Sequence, residues 1–167
     1  MYDRLLVAVD HSEVADRVIA AAKDLALLSK GKVWVLHLLE KEVIAQMGDV
    51  PSESDQEAAQ PVKDGVAALK QAGVDAEGDI RPTTFGHAAR EILADAKEHD
   101  ADIIIMGSRG RSDFAGAILG STAHKVIHLA DRPVLIIRWR GGGGIHDPGA
   151  GPAAHPVRAA GALLLRA

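Results

Sequence analysis

Cysteine is absent from the 167-residue chain, which excludes a disulfide framework, a thiolate nucleophile and a Cys-ligated metal, and removes cysteine usage as a guide to compartment. Aromatic residues are scarce at 3%, so few rings are available for stacking on bases. Basic charge is not in excess either, the formal net charge being -4. Nucleic-acid affinity rests mainly on clustered Lys and Arg, so neither DNA nor RNA is an expected partner. Every apolar run falls far short of the roughly 20 residues that span a bilayer. Met1-Tyr2-Asp3-Arg4 leads straight into a short apolar stretch, without the charged start, long apolar middle and small-residue cleavage site of a signal peptide. The expectation is a soluble, cytoplasmic protein that meets no membrane.

What is present is ordinary globular composition, 47% apolar and 25% charged, at a length that suits one domain with its core built from Val, Ile, Leu and Ala. Leu5-Leu6-Val7-Ala8-Val9 is a continuous apolar run, the mark of a strand buried on both faces of a parallel sheet. After Asp10, with Ser12 placed to cap it, a helix carries Val14, Val18, Ala21, Ala22, Leu25 and Leu28 at 3-4 spacing and closes near Gly31. Val33 to Leu38 reads as a second buried strand. A helix capped by Ser52 or Ser54 follows, with Val62, Val66 and Leu69 on one face and a stop at Gly73. It begins near Pro61 or starts earlier and runs through it, and residues 41–60 carry the weakest pattern.

A weaker strand lies between Val74 and Arg81, then a helix from about Gly86 to His99 with Ala89, Ile92, Leu93 and Ala96 facing the core. Ala101 to Met106 is the clearest strand. A glycine-rich connection, a helix around residues 121–130 and a last strand from Pro133 to Ile137 complete the pattern. Strands alternating with helices indicate crossover units, hence an α/β protein with a parallel sheet. From Gly141 the chain turns to consecutive glycines and then Pro148, Pro152 and Pro156. This divides it into a folded domain over residues 1–140 and a flexible Gly/Pro-rich tail over 141–167, whose apolar patch Ala162 to Leu165 is too short to stand as an element of its own.

The function-bearing segment is Gly107-Ser108-Arg109-Gly110-Arg111-Ser112-Asp113 through Gly120-Ser121-Thr122, between the clearest strand and a helix. Glycines there let the main chain approach phosphate oxygens and adopt positive φ, while the helix N-terminus attracts negative charge. In an open α/β sheet ligands bind at the carboxyl ends of the strands where their order reverses, which makes Asp10 and Gly107 the candidate positions. Asp10 serves a ligand or merely caps the first helix. Arg109 and Arg111 face either a phosphate or solvent. His124 and His128, four apart, read as surface residues of one helix, and His37 as a packed or hydrogen-bonded strand-end residue.

These segments resemble the universal stress protein family, specifically its ATP-binding branch, whose loop reads G-x2-G-x9-G-[ST]. Gly107, Gly110, Gly120 and Ser121 match that loop. Leu5 to Glu13, Ile103 to Ser108 and Arg132 to Ile137 match further signatures in the family's order, and the likeness covers about residues 1–139. The resemblance implies an open five-stranded parallel sheet in the order 3-2-1-4-5 with helices on both faces, Rossmann-like and of the adenine nucleotide alpha hydrolase-like kind. It also implies a homodimer in which the last strands, Pro133 to Ile137, pair across a two-fold axis. Ala8 and Asp10 would flank adenosine, with Asp10 accepting from ribose hydroxyls, and Leu38 would touch adenine. Met106, Gly107, Ser108, Arg109, Gly110, Arg111, Ser112 and Asp113, with Gly120, Ser121 and Thr122, would surround ribose and phosphates. Mg²⁺ would bridge phosphate oxygens.

The chain has no G-x-x-x-x-G-K-[ST] loop, H-E-x-x-H helix or G-x-S-x-G elbow, and the family loop lacks an internal lysine, so no catalytic group is named. The leading expectation is a nucleotide-responsive stress or regulatory module that alters recognition of an unidentified protein partner when ATP is bound. Its alternatives are a weak ATP hydrolase or phosphoryl- or adenylyl-transfer enzyme, and a dimeric scaffold that binds no nucleotide.

Overall fold

The computed structural model describes residues 2–44, 48–108, 119–138 and 162–165. Its elements are β1 (Arg4–Val9), α1 (Ala15–Ser29), β2 (Lys32–Ile44), β3 (Gly48–Pro51), α2 (Asp55–Gln71), β4 (Ala76–Thr84), α3 (Ala88–Glu98), β5 (Ile103–Gly107), α4 (Ser121–Leu129), β6 (Val134–Ile137) and β7 (Ala162–Leu165). Five strands run parallel in the spatial order β4-β2-β1-β5-β6. This is the 3-2-1-4-5 arrangement, counting parallel strands along the chain.

Among the described residues the sheet has seven strands rather than five, because two short antiparallel strands join it. β3 pairs with the far end of β2, Lys41 opposite Pro51 and Ile44 opposite Gly48. β7 pairs with β6, Val134 opposite Leu165 and Ile137 opposite Ala162. β6 is therefore not the outer edge that the sequence suggests. Its unpaired N–H and C=O groups meet an apolar stretch of the same chain, and each strand satisfies the other's main chain. Ala162 to Leu165 is an element only through that pairing. β2 likewise runs well past Leu38, since β3 and β4 both pair along it.

Alternation along the strands divides the core. Leu5, Val7, Val9, Val33, Val35, Ile103 and Ile105 point to one face, where Val18, Ala22 and Ala26 of α1 and Val62 and Leu69 of α2 cover them. Leu6, Leu36, Ile104, Met106, Val134 and Ile136 point to the other, beneath Ala89, Ile92 and Ala96 of α3 and Ala123 and Val126 of α4. Helices thus cover both faces. Leu28, expected in the core stripe of α1, is exposed; at 100° per residue it falls on the flank of the stripe, in the last turn.

Helix α2 starts at Ser54, whose hydroxyl accepts from the Glu57 N–H while the Glu57 carboxylate accepts from the Ser54 N–H, a reciprocal cap. The helix runs through Pro61, which selects the earlier start. Gly65 lets it lie close to α1, since a Cβ there would stand 2.8 Å from Ile19 Cδ1. Ser12 does not cap α1, whose N-cap position is Val14 with no side-chain bond. The Ser12 side chain turns back to Asp10 instead.

Candidate functional site

A cavity of about 620 Å³ opens at the carboxyl ends of β1, β2 and β5. Strand order reverses at β1, with β2 on one side and β5 on the other. The crossovers after β1 and β5 depart to opposite faces, so the loops separate and leave a crevice.

Asp10 ends β1. Its Oδ1 accepts from the Ser12 N–H at 3.0 Å and from the Ser12 hydroxyl. That turn holds the carboxylate at the cavity wall rather than at the start of α1. Ala8 and Leu38 line the same cavity. Register explains the next member: Val9 pairs with His37, and His37 Nδ1 lies 2.9 Å from the Val9 carbonyl oxygen. That carbonyl can only accept, so Nδ1 carries the proton. His37 is therefore buried and hydrogen-bonded, as the sequence suggests, but it lies in mid-strand because β2 continues to Ile44, and its other nitrogen faces Glu53 Oε1 at 2.9 Å. Glu53 Oε2 lies 2.6 Å from His11 Nε2. Burial alone would push the Glu53 carboxyl up, but hydrogen bonds and charge from His37 and then His11 bring it below its ordinary value.

The opposite wall belongs to β5 and α4. Met106, Gly107, Gly120, Ser121 and Thr122 line it. Ser108 is buried just behind, its N–H donating to the Ile137 carbonyl at 2.8 Å and its own carbonyl accepting from the Gly120 N–H at 2.7 Å. This pair of bonds fixes the N-terminus of α4 beside the end of β5. Gly120 has φ -72° and ψ 160°, so at this position the glycine is not needed for positive φ. Arg109, Gly110, Arg111, Ser112 and Asp113 lie outside the described residues.

Several lining residues were not legible in the sequence. Lys125, one turn beyond Ser121, is the one lysine or arginine among the described residues that line the cavity, and its Nζ reaches the Gly86 carbonyl at 3.3 Å. Its signal was the i to i+4 step from Ser121, which puts both on one helix face. Gly86, at φ +84°, makes a turn at the rim next to the exposed ring of Phe85. Polarity is divided. The lining acids Asp10, Glu40 and Glu53 come from the residue after β1, from β2 and from the loop after β3, whereas Lys125 and the N-terminus of α4 come from the other wall.

Such a crevice, at the reversal point of a doubly covered parallel sheet and walled on one side by a helix N-terminus, defines an open α/β protein with a pocket shaped for a small ligand. Comparison with known proteins narrows that class. The model of the universal stress protein family matches residues 1–138. A universal stress protein of Bacillus subtilis is 34% identical over 148 residues, covering 83% of this chain and 100% of the relative. The solved structure of a universal stress protein from Archaeoglobus fulgidus superposes with a TM-score of 0.63 at 28% identity, covering 81% of this chain and 98% of that one. Another from Archaeoglobus fulgidus, in complex with dAMP, gives 0.60 at 27% identity over 81% and 97%. The chain belongs to the universal stress protein family.

Among the described residues no helix is long and apolar enough to cross a membrane.

Proposed function

We propose that this chain is a cytoplasmic ATP-binding regulatory module, in which nucleotide occupancy changes recognition of a protein partner. The observation that carries the reading is the polarity of a single cavity, with the Asp10 carboxylate on one wall and the N-terminus of α4 with Lys125 on the other. Ribose hydroxyls are donors suited to Asp10, and phosphates suit unpaired helix N–H groups and a lysine. Ala8 and Leu38 supply apolar surface for adenine, and the exposed Phe85 ring stands at the rim. The volume lies within the roughly 300–1,000 Å³ of small-ligand pockets. A relative bound to dAMP supports an adenine nucleotide as the ligand class.

Mg²⁺ fits as an ion carried by the phosphates. The described residues lining the α4 wall offer the Ser121 and Thr122 hydroxyls but no carboxylate, and Mg²⁺ commonly keeps waters and uses substrate phosphates. A homodimer through Val134 to Ile137 belongs to this reading only where β7 leaves β6 or is exchanged between copies, because β7 covers that edge.

Calorimetric titration with Mg²⁺-ATP, AMP and adenosine, beside phosphate release at saturating ATP, tests the proposal. One ATP per chain, weaker adenosine binding and no release are expected. Steady turnover would make the protein an enzyme, and silence with all three ligands would leave a scaffold.

A further inference from the structure

His11, His37 and Glu53 meet beside Asp10, and the family loop does not account for them. Their ligand-capable atoms all lie within 4.8 Å of one another. His37 is locked by its Nδ1–H bond to the Val9 carbonyl, so a neutral ring aims the Nε2 lone pair at Glu53 Oε1, 2.9 Å away. An ionised carboxylate is an acceptor only. Two acceptors this close need a positive centre between them, either a second proton on the ring or a metal ion. The backbone bond to Nδ1 is the arrangement that fixes the tautomer and orientation of a metal-binding imidazole. Glu53 uses its second oxygen on His11 Nε2, and its side chain is only 6% exposed. The carboxylate is thus bracketed by two imidazoles at the cavity wall.

We propose that His11 Nε2, His37 Nε2 and Glu53 form a divalent transition-metal site at the mouth of the cavity. Two imidazoles and one carboxylate suit Zn²⁺ and similar borderline ions, whereas Mg²⁺ takes oxygen ligands. Bonds of about 2.0–2.2 Å around a tetrahedral ion separate ligand atoms by about 3.3 Å. The present spacings of 2.6 and 2.9 Å therefore widen by roughly half an ångström, within reach of small rotations of Glu53 and the partly exposed His11. His37 stays where the sheet and Val9 hold it. Remaining coordination positions border the cavity next to Asp10 and Ser12, where water or a ligand oxygen completes the shell.

The site does not depend on the nucleotide reading, because its donors are all protein atoms, from the loop after β1, from β2 and from the loop after β3. Titrating the metal-stripped full chain with Zn²⁺ near neutral pH, without nucleotide, tests it. One tightly bound Zn²⁺ per chain is expected, with Co²⁺ giving the visible absorption of a four-coordinate ion. His11→Ala and Glu53→Gln should each weaken Zn²⁺ binding by about 100-fold, for loss of one of three protein ligands, while thermal melts of the metal-free proteins show both folded. The double change His124→Ala and His128→Ala removes the other histidine pair, whose rings lie 4.4 Å apart, and should leave the tight site intact. Gly120→Asp, aimed at the phosphate wall, should also leave it intact. Zn²⁺ binding that survives in folded His11→Ala and Glu53→Gln, that vanishes with His124 and His128, or that is absent altogether, would overturn the assignment.

Discussion

At the amino ends of the parallel strands side chains close main-chain groups across the sheet, whereas at the carboxyl ends they line an open cavity. The Asp102 carboxylate accepts from the Asp3 and Arg4 N–H groups at 2.8 and 2.9 Å, and the Asp102 N–H donates to the Arg4 carbonyl at 2.7 Å. Arg132 donates to the Ala96 and Ala101 carbonyls at 2.8 and 2.6 Å. These bonds join β1 to the turn before β5, and the turn before β6 to the end of α3. At the other edge the corresponding groups turn inward, with Asp10 held on Ser12 and His37 on Val9. One edge spends its polar groups on stability and the other keeps them for a ligand. Mutations at the two edges should therefore separate binding from folding.

The largest separation is expected for Gly120→Asp. The N-cap geometry at Gly120 suits aspartate, which caps helices well, so the melting temperature should hold or rise. A carboxylate on that wall opposes phosphate, and like-charge contacts cost several kcal/mol, so ATP affinity should fall by about 100-fold. Adenosine should be affected far less. Unchanged ATP affinity in the folded variant would remove phosphate from the α4 wall.

Next comes Asp10→Ala, which should weaken ATP and adenosine alike by about tenfold, the scale of one hydrogen bond to a charged group. Calorimetry with both ligands reads the outcome. Loss on ATP alone would move Asp10 away from the nucleoside and leave it as the partner of Ser12.

How much of this was legible follows from which interactions are local. Four of the parallel strands and the helices announce themselves through apolar runs and 3-4 spacing within single segments, whereas β4, Ala76-Glu77-Gly78-Asp79-Ile80-Arg81-Pro82-Thr83-Thr84, has no apolar run and gives only a weak signal. Asp10 and the glycines at 107 and 120 could be located because strand ends and helix starts carry short-range signals. β3 could not, since Gly48-Asp49-Val50-Pro51 has no alternation and becomes a strand only against the long β2. β7 is four apolar residues whose state depends on β6. The histidine and glutamate cluster needs the Val9 to His37 register and a loop that returns Glu53 from β3, so spacing in the sequence carried no trace of it.

At the amino edge the effect is reversed. Asp102→Ala should lower stability by about 1–2 kcal/mol, since two N–H groups lose a charged acceptor, although water compensates in part at this exposed position. Nucleotide affinity should be unchanged. Chemical denaturation beside ATP titration checks both halves, and a binding defect would mean that the two edges are coupled through β1.

The smallest effect on binding is expected from removing residues 141–167, which takes β7 away from β6 without touching any described residue of the cavity wall. ATP affinity should not change, and only four paired residues are lost, so the melting temperature should fall little. Assembly is where this truncation speaks. Val134 to Ile137 would become an unpaired apolar edge, and such an edge recruits another strand. Sedimentation at micromolar concentration should then show a full-length chain that is largely monomeric and a truncated chain that dimerises. A full-length dimer that dissociates on truncation would mean that β7 itself, exchanged between copies, makes the interface. A truncated chain that stays monomeric and folded would mean that β6 offers no seam at all, and the comparison between a latched edge and an open one would hold for ligands but not for assembly.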